Sequence, residues 1–211
     1  MHPVEERNEK LGESVVKALR ARHFDAIYCK NADEARMEAL ARIPEGASVF
    51  WGGSMTIRDI GLTAALKAAG DRQIFDRETV PPAERTAFLQ EHYFSDFFLG
   101  SANALTEDGI ILNMDGSGNR VAAMIWGPKK VILLVGMNKV VRDFEAGVAR
   151  VRSTAAPINA QRFDIDTPCK KTGRCADCKS ESSICGTLTA MRLCRPAGRI
   201  TVILFGENYG Y

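Results

Sequence analysis

The sequence predicts an α/β protein built on a mostly parallel sheet, with a small cysteine-rich segment near its C-terminal end. Three observations carry that prediction. Short apolar runs of strand length alternate with amphipathic stretches of helix length along most of the 211 residues, the order expected when helices cover a parallel sheet. Residues 131–135 (Val-Ile-Leu-Leu-Val) are apolar without interruption, the pattern of a central strand covered on both faces. Five of the six cysteines crowd into the last fifth of the chain with the spacing C-x5-C-x2-C-x6-C-x8-C, which sets that part apart from the body.

Residues 5–22 read as an amphipathic helix because Leu11, Val15, Val16 and Leu19 share one helical face. Residues 24–29 form a short apolar strand in which Cys29 reads as a buried residue. Asn31 or Asp33 caps a second helix through Ala35, Leu40 and Ala41. After a Pro-Glu-Gly turn, residues 48–51 are a buried strand that ends in Gly52-Gly53-Ser54, and a helix follows through Leu62, Leu66 and Ala69. Residues 73–76 make a short strand. Pro81-Pro82 opens a helix, because proline is tolerated in a first turn. Residues 96–99 and 109–114 are strands, the second leading to the polar turn 115–120. Residues 121–126 fit helix or extended chain equally. Residues 138–152 read as one helix with Val141, Phe144, Val148 and Val151 on its inner side. The cysteine segment covers 167–198, and 200–205 is a last apolar strand.

With 45% hydrophobic residues the chain can bury one sizeable core, so residues 1–211 are expected to form a single domain with the 167–198 segment inside it. A net charge of +2 with 26% charged residues gives no footprint for nucleic acid. No apolar run approaches the ~20 residues of a membrane span. The polar start of the chain has no apolar signal region. A cytoplasmic protein is therefore expected, and in a reducing compartment clustered cysteines bind metal more often than they form disulfides.

Four stretches offer chemistry. In Gly52-Gly53-Ser54-Met55-Thr56, glycines after a strand let backbone approach a ligand, and Ser54 or Thr56 can cap the next helix or donate to an anion; a plain tight turn is the simpler alternative. In Asn113-Met114-Asp115-Gly116-Ser117-Gly118-Asn119-Arg120, Arg120 offers a bidentate fork for carboxylate or phosphate. There Asp115 can act as a base, or hold Arg120 or a backbone amide. Glu107, beside the turn former Asp108-Gly109, is a further candidate carboxylate. With three histidines in the chain, a His-based triad is not expected. Cys175-x2-Cys178 is a chelating pair, Cys169 and Cys185 can complete four ligands, and Cys194 is a spare or alternative fourth. Thiolates so spaced suit zinc or an iron–sulfur cluster, and the spacing does not choose between them.

Three of these stretches together resemble the lactate-utilisation (LUD) domain family, also called LutC/YkgG-like. They are Trp51 to Thr56 with Gly61-Leu62, the run Gly100 to Gly109, and the run Asn113 to Ala122. Gly127-Pro128-Lys129-Lys130 and Gly136-Met137-Asn138-Lys139 extend the likeness over roughly residues 5–205, and Asp59 stands where the family often has glutamate. The resemblance implies a three-layer α/β/α fold similar to ribose-5-phosphate isomerase and CoA-transferases, with ligands at the carboxyl ends of strands. It implies a place in lactate or organic-acid utilisation. The expected ligand is a small anionic metabolite, held by Gly52, Gly53, Ser54, Thr56, Asn113, Gly116, Gly118, Asn119 and Arg120, with Glu107 or Asp115 transferring a proton. Cys169, Cys175, Cys178 and Cys185 are expected to hold zinc or an iron–sulfur cluster. Two alternatives are a non-catalytic scaffold or electron-transfer subunit for an iron–sulfur oxidoreductase partner, and a sugar-phosphate isomerase-like enzyme. A homodimer is the default expectation for assembly.

Overall fold

The structure is a computed structural model and describes residues 2–211. Its centre is a six-stranded parallel sheet in the order β1-β10-β7-β4-β2-β3. The strands are β1 (Asp25–Cys29), β2 (Ser48–Trp51), β3 (Gln73–Phe75), β4 (Phe97–Gly100), β7 (Lys130–Gly136) and β10 (Ile200–Phe205). The last strand of the chain thus inserts between the first and β7, so the cysteine segment is an excursion from the sheet and not a tail.

Alternation along the central strands decides which side chain enters which layer. Val131, Leu133 and Val135 of β7, with Val202 and Leu204 of β10, enter one core. Ile132 and Leu134, with Ile203 and Phe205, enter the other. The first core is closed by α1 (Pro3–Ala21), through Val15, Val16 and Leu19, and by α6 (Asn119–Ile125), through Ala123 and Met124. The second is closed by α2 (Ala32–Ala41), α3 (Met55–Asp59) and α4 (Leu62–Ala69). The uninterrupted apolar run of β7 is therefore what double coverage requires.

A second, four-stranded sheet, β8-β5-β6-β9, lies beside the first core. It comprises β5 (Ala104–Thr106), β6 (Ile111–Asp115), β8 (Val140–Val141) and β9 (Thr187–Met191). Leu105 and Ile111 reach the first core, while Ala104 and Leu112 pack with Val151 in a smaller cluster. The helix expected over 138–152 is corrected by this sheet. Residues Met137–Lys139 are a 3-10 turn, Val140–Val141 pair with β5, and α7 spans Phe144–Arg150. The branched side chains of Val140 and Val141 suit the strand, and Asp143 then caps α7 by accepting from the Ala146 N–H at 2.9 Å.

Other boundaries have local causes. Asn31 caps α2, its side chain accepting from the Glu34 N–H at 2.9 Å. The helix after Gly53 is two helices, because Gly61 adopts φ +75° between them, a conformation that glycine takes without strain. Pro82–Glu84 form a 3-10 turn that leads into α5 (Arg85–Glu91). Residues 121–126 lie mostly in α6, whose last carbonyls are held by a buried guanidinium. Arg199 donates to the carbonyls of Ala123 at 3.1 Å, Met124 at 2.7 Å and Pro128 at 3.1 Å. A cation there satisfies orphan carbonyls and complements the helix dipole. Among the described residues no helix is long and apolar enough to cross a membrane.

Candidate functional site

The carboxyl ends of β2, β4 and β7 open into a cleft of about 770 Å³. Parallel strands all end at the same edge of a sheet, so the loops that follow them share one rim. The loop after β2 contributes Gly52, Gly53 and Ser54, and the first turn of α3 Thr56; the loop after β4, Ser101 and Asn103; the turn after β7, Lys139. The β6–α6 turn adds Asp115, Gly116, Ser117, Asn119 and Arg120 from the second sheet. The two glycine loops singled out in the sequence therefore meet in one cavity. Asn113 and Gly118 are not among the lining residues, and Asn113 is fully buried behind Asp115 in β6. Glu107 lies in the exposed turn between β5 and β6 and does not reach the cleft. As a carboxylate for this cavity it is displaced, because β5 and β6 form a hairpin whose tip points its turn elsewhere than β6's other end.

Asp115 is 8% exposed and forms an ion pair with Arg120, Nε to Oδ2 at 3.3 Å; its other oxygen accepts from the Gly118 N–H at 3.2 Å. Arg120 also donates to Asn103 Oδ1 at 3.0 Å and to the Met114 carbonyl. Of the two roles open to Asp115 in the sequence, the geometry gives it the holding of Arg120. Arg120→Ala is expected to lower stability by about 3 kcal/mol, since it leaves the Asp115 carboxylate buried without its partner. Urea unfolding checks this, and Arg120→Ala combined with Asp115→Ala should recover part of the loss.

The helix after the Gly52-Gly53 loop is five residues long, and Ser54 makes no capping hydrogen bond. Its hydroxyl is buried without a partner, as is the Asn113 side-chain nitrogen. Thr56 is also no cap: its hydroxyl accepts from Lys139 Nζ at 2.7 Å. Positive charge at this loop comes from guanidinium groups instead. Arg162 donates to the Gly53 carbonyl at 2.8 Å. A Cβ on Gly53 would stand 2.8 Å from an Arg77 nitrogen, so the glycine makes room for that side chain. Burial first, then the like charges of Arg85 and Arg162, hold the Arg77 guanidinium below its ordinary pKa, against an upward pull from Glu78 and Asp76. Arg85 is tied to the Val80 carbonyl and Arg162 to Gly53 and Asn159. Among the described residues the Arg77 side chain has no hydrogen-bonding or ion-pair partner.

Lys139 is the largest departure from solvent logic in the cleft. It is 2% exposed and gives hydrogen bonds to Thr56 Oγ1 and, at 2.9 Å, to Ser101 Oγ. Burial first, then the positive charges of Arg150 and Arg120, push its pKa down to about 7, against a smaller upward pull from Asp59. The segment after β10 covers it. Asn138 binds the Gly210 carbonyl at 3.0 Å, and a Cβ on Gly210 would come within 2.4 Å of Thr56 Oγ1 and 3.2 Å of Lys139 Nζ. Arg77, Arg162 and Lys139 escaped the sequence reading. The first two sit in segments without glycine or motif density. Lys139 was visible only as the end of Gly136-Met137-Asn138-Lys139, with nothing in sequence to show its burial.

The cysteines divide. Cys194 is 1% exposed and packs in the first core, its sulfur accepting from the Ile200 N–H at 3.3 Å. It is a core residue and not a spare ligand: it is buried, and its N–H is tied to the Arg22 carbonyl at 2.9 Å. Cys169 lies in a short helix, Pro168–Thr172, and Cys175, Cys178 and Cys185 follow in the loop before β9. Asp177, between Cys175 and Cys178, takes a left-handed φ of +52° that reverses the chain. The Cys185 thiol is pushed up by burial and by the charges of Cys169, Cys175 and Cys178, so the four sulfurs lie within electrostatic reach. Among the described residues, no three His, Cys, Asp or Glu side chains stand as a ready ligand set. The loop is also a wall of the cleft: Ser183 and Ile184 line it, and the Gly116 backbone packs against Ile184.

The LUD domain model matches residues 12–205. No curated protein matches the chain. A DUF162 family protein from Deinococcus radiodurans has a similar crystal structure, with TM-score 0.54 at 14% identity over 94% of this chain and 97% of that one. At that identity the likeness is one of fold. Ribose 5-phosphate isomerase A from Neisseria gonorrhoeae aligns with TM-score 0.34 at 12% identity, over 55% of this chain and 56% of that one. The enzyme from Methanocaldococcus jannaschii aligns with TM-score 0.35 at 15% identity, over 54% and 55%.

Proposed function

We propose, from the premise that the chain belongs to the LUD domain family, that its cleft binds a small anionic metabolite of lactate or organic-acid utilisation. One observation carries the reading: Arg77 lines the cleft as a guanidinium without a protein acceptor, beside a second arginine, Arg162. Two like charges held together in a partly dry cavity repel, and an anion between them relieves that repulsion while accepting forked hydrogen bonds. The Ser54 hydroxyl, buried without a partner, supplies a further group for a polar ligand. Lining by Phe50, Trp51, Leu89 and Phe98 favours a metabolite with an apolar part over inorganic phosphate alone.

We further propose that Cys169, Cys175, Cys178 and Cys185 hold a metal or iron–sulfur centre at the cleft wall. The donor set fits: burial and the three neighbouring thiols of Cys169, Cys175 and Cys178 push the Cys185 thiol up, and a bound cation opposes that effect. Arg152, whose pKa is raised by Cys175 and Asp177, adds a compensating charge. Zinc bound there is structural, whereas an iron–sulfur cluster exchanges electrons. The reading as an electron-transfer subunit draws support from the exposure of Cys175 and Cys185 at the surface, where a redox partner can approach.

Isothermal titration of the purified protein with lactate, pyruvate and ribose 5-phosphate tests the cleft. At least one is expected to bind with a Kd in the micromolar to millimolar range, about −4 to −8 kcal/mol. Heat of binding absent for all three would count against an anion site.

A further inference from the structure

We propose that Lys139 is the proton-transfer group of the cleft, acting as a base on the carbon next to the carbonyl of a small anionic ketone or oxo acid. The inference rests on the anion-binding reading above and adds to it the reacting group and the reaction class.

Lys139 fits the role by position. It ends the 3-10 turn that follows the buried strand β7, and its Nζ is fixed by two hydroxyls, Thr56 in the first turn of α3 after β2 and Ser101 just after β4. Three neighbouring strand ends thus converge on one nitrogen. Fixed geometry of this kind is what proton transfer requires, because the base must lie within hydrogen-bond reach of the atom it serves. The charged groups that face it are Arg150 from α7, Arg120 from α6 and Asp59 from α3. Cations outnumber the carboxylate, and burial adds to their effect. The amine is therefore available in its neutral form near neutral pH. Hydroxyl partners can donate to a neutral amine as well as accept from an ammonium, so the site holds both protonation states.

Asp115 is committed to Arg120, and Glu107 is outside the cleft. Of Asp115, Glu107 and Lys139, only Lys139 is left to move a proton in the cleft. In the step, the Nζ lone pair takes a proton from the carbon beside the carbonyl. The C–H electron pair becomes the new C=C bond, and the carbonyl π pair moves to oxygen as an enolate. Arg120, which has donors left over from Asp115, Asn103 and Met114, balances the enolate charge. Return of the proton from Nζ reverses the step, and no oxidant or reductant is consumed.

The test is exchange of carbon-bound hydrogen in D2O, followed by proton NMR, with pyruvate as the carboxylate probe and dihydroxyacetone phosphate as the phosphate probe. Calorimetry on the same samples reads binding. The protein is expected to accelerate exchange of one probe by about 100-fold, with the rate rising as pH passes through about 7. The probe that exchanges tells carboxylate from phosphate. Lys139→Arg should bind that probe and fail to exchange it, because guanidinium does not give up its proton. Lys139→Met should also lose exchange. It relieves the burial of an amine but leaves the buried Thr56 and Ser101 hydroxyls without that partner, so its thermal unfolding is read alongside to show that it is folded. Binding without exchange in the wild-type protein would overturn the role of Lys139 and leave the anion site standing, as would equal exchange in Lys139→Met. Absence of both binding and exchange would overturn both.

Discussion

Arg77→Met is expected to weaken binding of the anion by roughly 10- to 100-fold without destabilising the protein. A charged hydrogen bond is worth about 1.5–3 kcal/mol, which sets that range. The unusual part is the second half of the prediction. Most buried arginines answer to a carbonyl or a carboxylate, as Arg199 does at the end of α6 and Arg120 does at Asp115. Removing those leaves unpaired groups behind. Arg77 leaves no hydrogen-bond partner behind, and its removal relieves its burial and its repulsion with Arg85 and Arg162, against the loss of a smaller attraction to Glu78 and Asp76. Thermal unfolding of Arg77→Met should therefore give a Tm equal to or above that of the wild-type protein. Added ligand should raise the wild-type Tm, by the linkage of binding to folding, and should no longer raise that of the variant. A fall in Tm with unchanged ligand affinity would show that the guanidinium holds the fold together and not a ligand.

The second large effect concerns the thiols. Protein purified without oxygen is expected to carry about one metal centre per chain, and the double variant Cys175→Ser, Cys178→Ser close to none. Structural thiolate sites bind zinc with about 10–16 kcal/mol in peptides at neutral pH, so loss of two ligands is decisive. Metal and sulfide analysis with an absorption spectrum separates a coloured iron–sulfur centre from colourless zinc. The consequence should reach the cleft. A Cβ on Gly186 would stand 2.4 Å from the Gly116 carbonyl oxygen, and one on Gly116 would stand 3.3 Å from Ile184. The cysteine loop and the Asp115–Arg120 turn therefore pack backbone against backbone. Loosening the loop should speed amide hydrogen exchange at Gly116 and at residues 183–186. Full metal content in the double variant would rule out these two ligands. Loss of metal with no change in exchange would rule out the coupling.

Much of the fold was legible because its causes are local. Alternating apolar runs, Asn31 as a cap and the glycine after β2 are properties of a few neighbouring residues, and each appears where the pattern places it. The errors arose where pairing at a distance overrode local preference. Val140 and Val141 read as part of a helix until β5 offers them a partner. The strand Ala104–Thr106 escaped the sequence reading, because three residues are too short to signal a strand alone. The two glycine loops could be recognised from composition, and the resemblance to the LUD family could be built on them. Arg77 could not, since an arginine in sequence carries no mark of lacking an acceptor.

The sequence by itself determined the class of fold, the double coverage of β7 and the presence of a thiol cluster. These depend on periodicity and spacing, which are written along the chain. Only the tertiary structure decided which charges are compensated. Whether Asp115 holds Arg120, whether Arg77 stands among like charges, and whether Lys139 is dry are questions about neighbours far apart in the chain. Electrostatic energy depends on distance and on the exclusion of water, and both are fixed only when strand ends from different parts of the sequence are brought to one edge.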